Sequence, residues 1–151
     1  MATMAVRVFV DTNVLLRAAL PQMAQHPQVD TLLKRTIREG VELWISGQVI
    51  REFIVQATHP RTLEAPLTIA QTVKEVEAMK SLFQMADETT AVRDRLLNLI
   101  QTYPTSGKQI HDANIVATML VYGIGTLFTL NLDDFRRFSS EITLVSPVDE
   151  T

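Results

Sequence analysis

Apolar and polar positions alternate along this chain between short unbroken runs and stripes of helical period. Val6 to Val10 is β-branched and aromatic with only Arg7 interrupting, the pattern of a strand buried on both faces of a parallel sheet. Thr12 to Leu20 reads as helix and stops at Pro21. Val29, Leu32, Leu33 and Ile37 recur at helical spacing, with Lys34, Arg35, Arg38 and Glu39 off the stripe and Gly40 as the C-terminal stop. Glu42 to Ile45 predicts a second strand. Ser46 predicts the cap of a helix that carries Val49, Ile50, Phe53 and Ile54 and ends before His59-Pro60.

In the second half, Pro66 predicts the first turn of a helix whose stripe is Ile69, Val73, Val76 and Met79. Leu82 to Met85 suggests a strand. From Glu88 a stripe of Val92, Leu96, Leu99 and Ile100 predicts a helix that stops near Tyr103-Pro104, followed by a Thr105-Ser106-Gly107 loop. Ile110, Ala113, Val116, Ala117, Leu120 and Val121 predict a long helix ending at Gly123. Thr126 to Leu130 predicts a strand, Asp133 to Phe138 a short helix or turn, and Ile142 to Val145 a last strand. Strands alternating with helices, with few hairpin signals, predict an α/β fold on a central parallel sheet.

The length of 151 residues suits one domain, expected over residues 1–146, with residues 147–151 as a loose tail. The absence of cysteine excludes disulfide frameworks, zinc–thiolate sites, iron–sulfur clusters and thiol nucleophiles. Seventeen acids against 14 bases give a formal charge of −3, which lacks the basic excess typical of a dedicated nucleic-acid binder. The N-terminal apolar run is short, broken by Arg7 and closed by Asp11, unlike a signal peptide. Ala113 to Leu132 is twenty residues without a charge, but Gly123-Ile124-Gly125 divides it into a helix and a strand. No membrane segment is expected, and the default compartment is the cytoplasm.

Most acids fall on polar helix faces, where solvation accounts for them. Asp11 closes an apolar strand, so it is expected at the carboxyl end of the sheet, where open α/β folds bind ligands. Asp112 opens a nearly apolar helix, where the helix dipole favours its charge. Glu52 lies among Val49, Ile50, Phe53 and Ile54, and Asp133 and Asp134 follow another buried strand. Carboxylates converging on one sheet edge must stay partly protonated or be held by cations. Oxygen donors without cysteine select hard ions such as Mg2+ or Mn2+, and two of these about 4 Å apart can clamp a phosphodiester.

These positions also carry a family pattern. Val8-Phe9-Val10-Asp11-Thr12-Asn13-Val14-Leu15-Leu16 resembles the opening motif of PIN domains, above all the VapC-type toxin ribonucleases. Ser46-Gly47-Gln48-Val49-Ile50-Arg51-Glu52-Phe53 resembles the second motif, Ile110-His111-Asp112-Ala113-Asn114-Ile115-Val116-Ala117-Thr118 the third, and Thr129-Leu130-Asn131-Leu132-Asp133-Asp134-Phe135 the fourth. They come in family order across residues 8 to 135. The resemblance implies a three-layer α/β/α sandwich with a short parallel sheet, and a Mg2+- or Mn2+-dependent endoribonuclease acting as the toxin of a toxin–antitoxin pair. It implies metal-binding acids at Asp11, Glu52, Asp112 and Asp134, with Asp133 as the register alternative to the last. Thr12, Asn13 and Asn131 would support them. An RNA substrate, an antitoxin partner and a homodimer follow from the same resemblance. Residues 59–90 match no motif.

Two rival readings stand beside it. Val8-Phe9-Val10-Asp11 also resembles the opening of haloacid-dehalogenase-type phosphatases, but Asn13 stands where that chemistry needs a second aspartate. A catalytically idle PIN-like module that binds RNA or protein is the other. Gly123-Ile124-Gly125 follows a helix, in the wrong order for a dinucleotide fingerprint. His26, His59 and His111 are scattered. Lys34, Arg35 and Arg38 read as a solvated helix face, whereas Arg51, Arg93, Arg95 and Lys108 could meet RNA only by turning toward the acids. Setting aside the four site acids leaves 13 against 14 bases, so the acidic balance resides in the site itself. RNA affinity of one subunit is expected to be modest.

Overall fold

The computed structural model describes residues 5–148. Five parallel strands form one sheet in the order β3-β2-β1-β4-β5: β1 Arg7–Val10, β2 Glu42–Ser46, β3 Gln84–Ala86, β4 Thr126–Phe128 and β5 Thr143–Val145. The helices are α1 Thr12–Ala19, α2 His26–Arg38, α3 Gly47–Ala57, α4 Ile69–Leu82, α5 Thr90–Thr102, α6 Gln109–Val121 and α7 Leu132–Phe135, with a 3-10 turn at Arg136–Phe138. The α/β class and parallel sheet follow the sequence pattern.

Strand β1 is central because nothing in Val8-Phe9-Val10 needs water: these residues are 5%, 0% and 0% exposed. It pairs with β2 on one side, Phe9 opposite Trp44, and with β4 on the other, Val10 opposite Phe128. The chain leaves β1 leftward through β2 and β3 and returns rightward through β4 and β5. The order therefore reverses between β1 and β4, which opens a crevice at their carboxyl ends.

Helix α1 packs on α2 and α3, and α3 on α4, while α5 packs against α6. Right-handed crossovers put these groups on opposite faces of the sheet, giving three layers. Leu15, Leu16 and Phe53 fill one side of the core, and Leu99, Ile115 and Met119 the other. Gly40 and Gly123 end α2 and α6 with φ of 78° and 68°, a conformation that costs a residue with a Cβ.

The structure departs from the expected pattern in several places, and the strand expected at Thr126 to Leu130 ends at Phe128. Pro66 precedes its helix instead of opening it: Thr68 is the cap, in a reciprocal capping box with Gln71. The stripe on α4 is rotated, so Ile69 and Val73 are 68% and 53% exposed while Thr72 is buried, its hydroxyl bound to the Thr68 carbonyl. On α2, Thr36 is buried where Ile37 was expected, again with its hydroxyl on the preceding turn, at Leu32. The strand expected at Leu82 to Met85 lies at Gln84–Ala86, because Leu82 finishes α4. The charge-free Ala113–Leu132 stretch divides into α6 and β4, and no helix among the described residues is long and apolar enough to cross a membrane. The expected C-terminal tail falls partly outside the described residues, at 149–151.

Candidate active site

Asp11 sits one residue beyond β1 and caps α1, its Oδ1 accepting the Thr12 backbone N–H at 2.8 Å. Its backbone N–H still pairs with the Phe128 carbonyl at 3.0 Å, so the end of the sheet fixes its place. Oδ2 accepts the Thr129 hydroxyl at 2.8 Å and the Asn13 amide at 3.2 Å. Asn13 reaches further: its Oδ1 accepts the Leu130 N–H at 3.0 Å, tying α1 to the segment after β4. Burial pushes the Asp11 carboxyl up to about 6, against the pull of the Thr129, Thr12 and Asn13 donors, with nearby Glu52 adding to the rise.

Glu52 lies half-buried on α3. Its Oε2 accepts the Thr12 hydroxyl at 2.7 Å and its Oε1 the Gln48 amide at 2.9 Å. Asp112, in the first turn of α6, is pushed up to about 7, first by burial and then by the charges of Asp134, Asp11 and Glu52. Arg137 acts the other way. Asp134, Asp11 and Glu52 therefore all lie within electrostatic reach of Asp112, and Glu52 within reach of Asp11. Asp134 is the member of its pair that acts on Asp112, whereas Asp133 is 89% exposed and bound to Arg136 at 2.7 Å.

Asn131 is exposed and contributes through its backbone, its N–H to the Thr129 hydroxyl and its carbonyl to the Asp134 N–H. Three further side chains join the site without having been expected. Thr129 stands next to Asp11 by strand register, and a hydroxyl ending a buried strand was its signal. Gln48 lies one helical turn before Glu52, a spacing visible in sequence. Arg137 has no such signal, since only the turn after α7 brings it back toward Asp112.

Several other basic residues are committed to partners of their own, while Lys108 stands at the N-cap of α6. Arg93 pairs with Asp94, Arg95 with Glu141, and Lys34 with Asp30 on a solvated face of α2. His26 Nδ1 meets the Arg17 carbonyl, His59 Nδ1 accepts the Arg61 N–H, and exposed His111 supplies a carbonyl to Gln48. One surface cleft, about 560 Å³ between Pro27–Arg35 and Val145–Pro147, is lined by none of the four acids. A second, about 430 Å³, borders them through Asn131 and Asp134.

Among the described residues, no group of three or more acids or histidines is gathered tightly enough to hold an ion as it stands. Mg2+ does not require such a cage, because it keeps several waters and uses one or two carboxylates. The donor set is all oxygen, and two of its acids are pushed up by crowding and burial, so the residues fit a hard divalent cation.

Fold and site together define a parallel α/β protein with a carboxylate cluster at its topological switch point. The chain belongs to the PIN-domain family, whose pattern it matches over residues 8–141. It is similar in structure to VapBC2 from Rickettsia felis bound to a promoter DNA fragment, with TM-score 0.70 and 15% identity over 93% of this chain and 98% of that one. VapBC-1 from nontypeable Haemophilus influenzae gives TM-score 0.69 and 14% identity over 95% and 100%. VapC20 from Mycobacterium tuberculosis, a sarcin–ricin loop cleaving toxin, gives 0.63 and 15% over 85% and 93%. No curated protein sequence matches this chain.

Proposed function

We propose that this protein is a divalent-metal-dependent endoribonuclease, the toxin of a toxin–antitoxin pair. The observation that carries the reading is the convergence of Asp11, Glu52, Asp112 and Asp134, from four separate segments, on the crevice between β1 and β4. Membership of the PIN family and the likeness to toxin–antitoxin structures support it. So does the likeness to a toxin that cleaves an RNA loop.

The four acids would hold Mg2+ or Mn2+, which when bound supplies Lewis acidity toward the phosphodiester and lowers the pKa of an attacking water. The chain's own part is placement. Thr12, Asn13 and Thr129 fix the Asp11 and Glu52 carboxylates by hydrogen bonds, which limits the orientations they can take toward a cation. Arg137 sets a positive charge opposite Asp112, where a phosphate would also be attracted. Asn13 has its amide committed to Asp11 and its carbonyl to Leu130, so no acid–base group of the phosphatase type stands at that position.

An antitoxin and a second copy of the chain belong to the same proposal. Exposed Ile54, Val55, Ile69, Val73 and Leu82 on α3 and α4 leave apolar surface for a partner to cover. The test is a panel of structured and single-stranded RNAs incubated with Mg2+, Mn2+ or EDTA. Cleavage with either metal and none in EDTA is expected. Cleavage that persists in excess EDTA overturns the metal mechanism, and an uncut panel combined with RNA binding favours the idle module.

A further inference from the structure

Gln48 is a buried amide, 5% exposed, with every polar atom engaged. Its Nε2 donates to Glu52 Oε1 at 2.9 Å and to the His111 carbonyl at 2.8 Å. Its Oε1 accepts from Asn114 Nδ2 at 2.8 Å, and that same nitrogen donates to Glu88 Oε1 at 2.8 Å. Each orientation is dictated by its neighbours. Glu52 and the His111 carbonyl can only accept, so the nitrogen of Gln48 must face them and its oxygen must face Asn114. The chain of bonds thus runs in one sense, from Asn114 through Gln48 into the Glu52 carboxylate.

We propose that Gln48, backed by Asn114, is the positioning residue that sets Glu52 against the first turn of α6. This rests on the reading of Glu52 and Asp112 as metal-binding acids. The geometry favours it over a packing role. Glu52 Oε2 is already held by Thr12 from α1, so without Gln48 the carboxylate could pivot about that single bond. The second N–H of Gln48 ends on the carbonyl immediately before Asp112, so one side chain spans from α3 to α6 and ties the two acids' backbones together. A residue serving only as filler would not need a donor aimed at each acid's own segment. Glu52 would keep one lone pair on each oxygen for a cation, in a fixed direction.

The test uses the full chain, free of metal, titrated with Mn2+ by calorimetry and checked for folding by thermal melting. Gln48→Met keeps the volume and removes both donors. It is expected to weaken Mn2+ binding about tenfold in the wild-type background and about threefold or less in a Glu52→Ala background, since most of the effect passes through Glu52. Asn114→Ala, which leaves Gln48 in place but unbacked, is expected to weaken binding about threefold and decides the question in the same way should Gln48→Met not fold. Equal loss in both backgrounds, or Mn2+ affinity within about twofold of wild type, overturns the positioning role. A wild-type chain that binds no Mn2+ overturns the metal reading as well, so the two failures are told apart by the wild-type titration alone.

Discussion

Thr12 donates its hydroxyl to Glu52 at 2.7 Å while its backbone N–H holds Asp11 at 2.8 Å, so one residue orients carboxylates that are 41 positions apart in the chain. The hydroxyl leaves from α1, capped by Asp11 itself, and crosses to α3. Thr12→Val keeps the shape and the backbone contact and deletes only the bond to Glu52. Cleavage is expected to fall about tenfold, the scale of losing one support of a ligating carboxylate, with the melting temperature little changed. Single-turnover cleavage together with a thermal melt checks it. Undiminished cleavage would show that Glu52 does not depend on Thr12.

Asp11 is the most buried of the four acids, and its charge is opposed by burial and by Glu52. Asp11→Asn removes that charge without removing bulk. Thr129 can turn its hydroxyl to accept from the new carboxamide, whose oxygen can keep the Thr12 N–H, so the substituted side chain is still hydrogen-bonded. The expected outcome is no detectable cleavage with a fold as stable as wild type, or slightly more stable at pH 8 in EDTA. A variant that cuts RNA at the wild-type rate, or that unfolds, would contradict the assignment of Asp11.

The same two raised acids fix the sign of the pH dependence. In the folded chain Asp11 and Asp112 hold their protons to about 6 and about 7, whereas both start from 3.8 in the unfolded chain. Between those limits the folded state binds more protons, so stability falls as pH rises and is greatest at the acid end of the window. Metal-free protein is therefore expected to melt at a higher temperature at pH 5 than at pH 8. Mg2+ added at pH 8 is expected to restore part of the difference by linkage. Melting in EDTA across that range is the measurement, and a temperature that climbs steadily from pH 5 to pH 8 would refute it.

Much of this is legible in the amino-acid sequence. A strand as apolar as Val8-Phe9-Val10 can only be central, and a carboxylate closing it can only emerge at the carboxyl edge. The edge strand β3 was harder to bound, because Gln84 and Met85 are exposed and leave no alternation to read. The inward face of α4 departs from its apolar stripe because Thr72 satisfies its hydroxyl within the helix, which lets it be buried while Ile69 and Val73 face outward. The choice between Asp133 and Asp134 depends on how a four-residue helix turns, and adjacent carboxylates carry no local signal for that. Gln48 and Arg137 matter through α6, whose approach is a tertiary fact. Spacing puts Gln48 one turn before Glu52, whereas the His111 carbonyl it also binds comes from another helix.

Arg137 offers the last prediction, since it is the cation that lowers Asp112 against three acids that raise it. Its Nη1 lies 3.3 Å from the Pro104 carbonyl and 3.5 Å from the Thr105 hydroxyl, which keeps it near the entry to α6. Arg137→Gln preserves a donor toward those oxygens and removes the charge. Asp112 would then titrate still further above its ordinary range, by a few tenths of a pH unit to about one, as suits a half-buried pair. Carboxyl-resolved NMR titration of metal-free protein reads this directly, and the acid limb of the cleavage profile with Mg2+ should move the same way. An Asp112 midpoint that stays put or falls would mean that Arg137 faces solvent and not the acids. In that case the positive charge balancing the site must come from the bound cation alone.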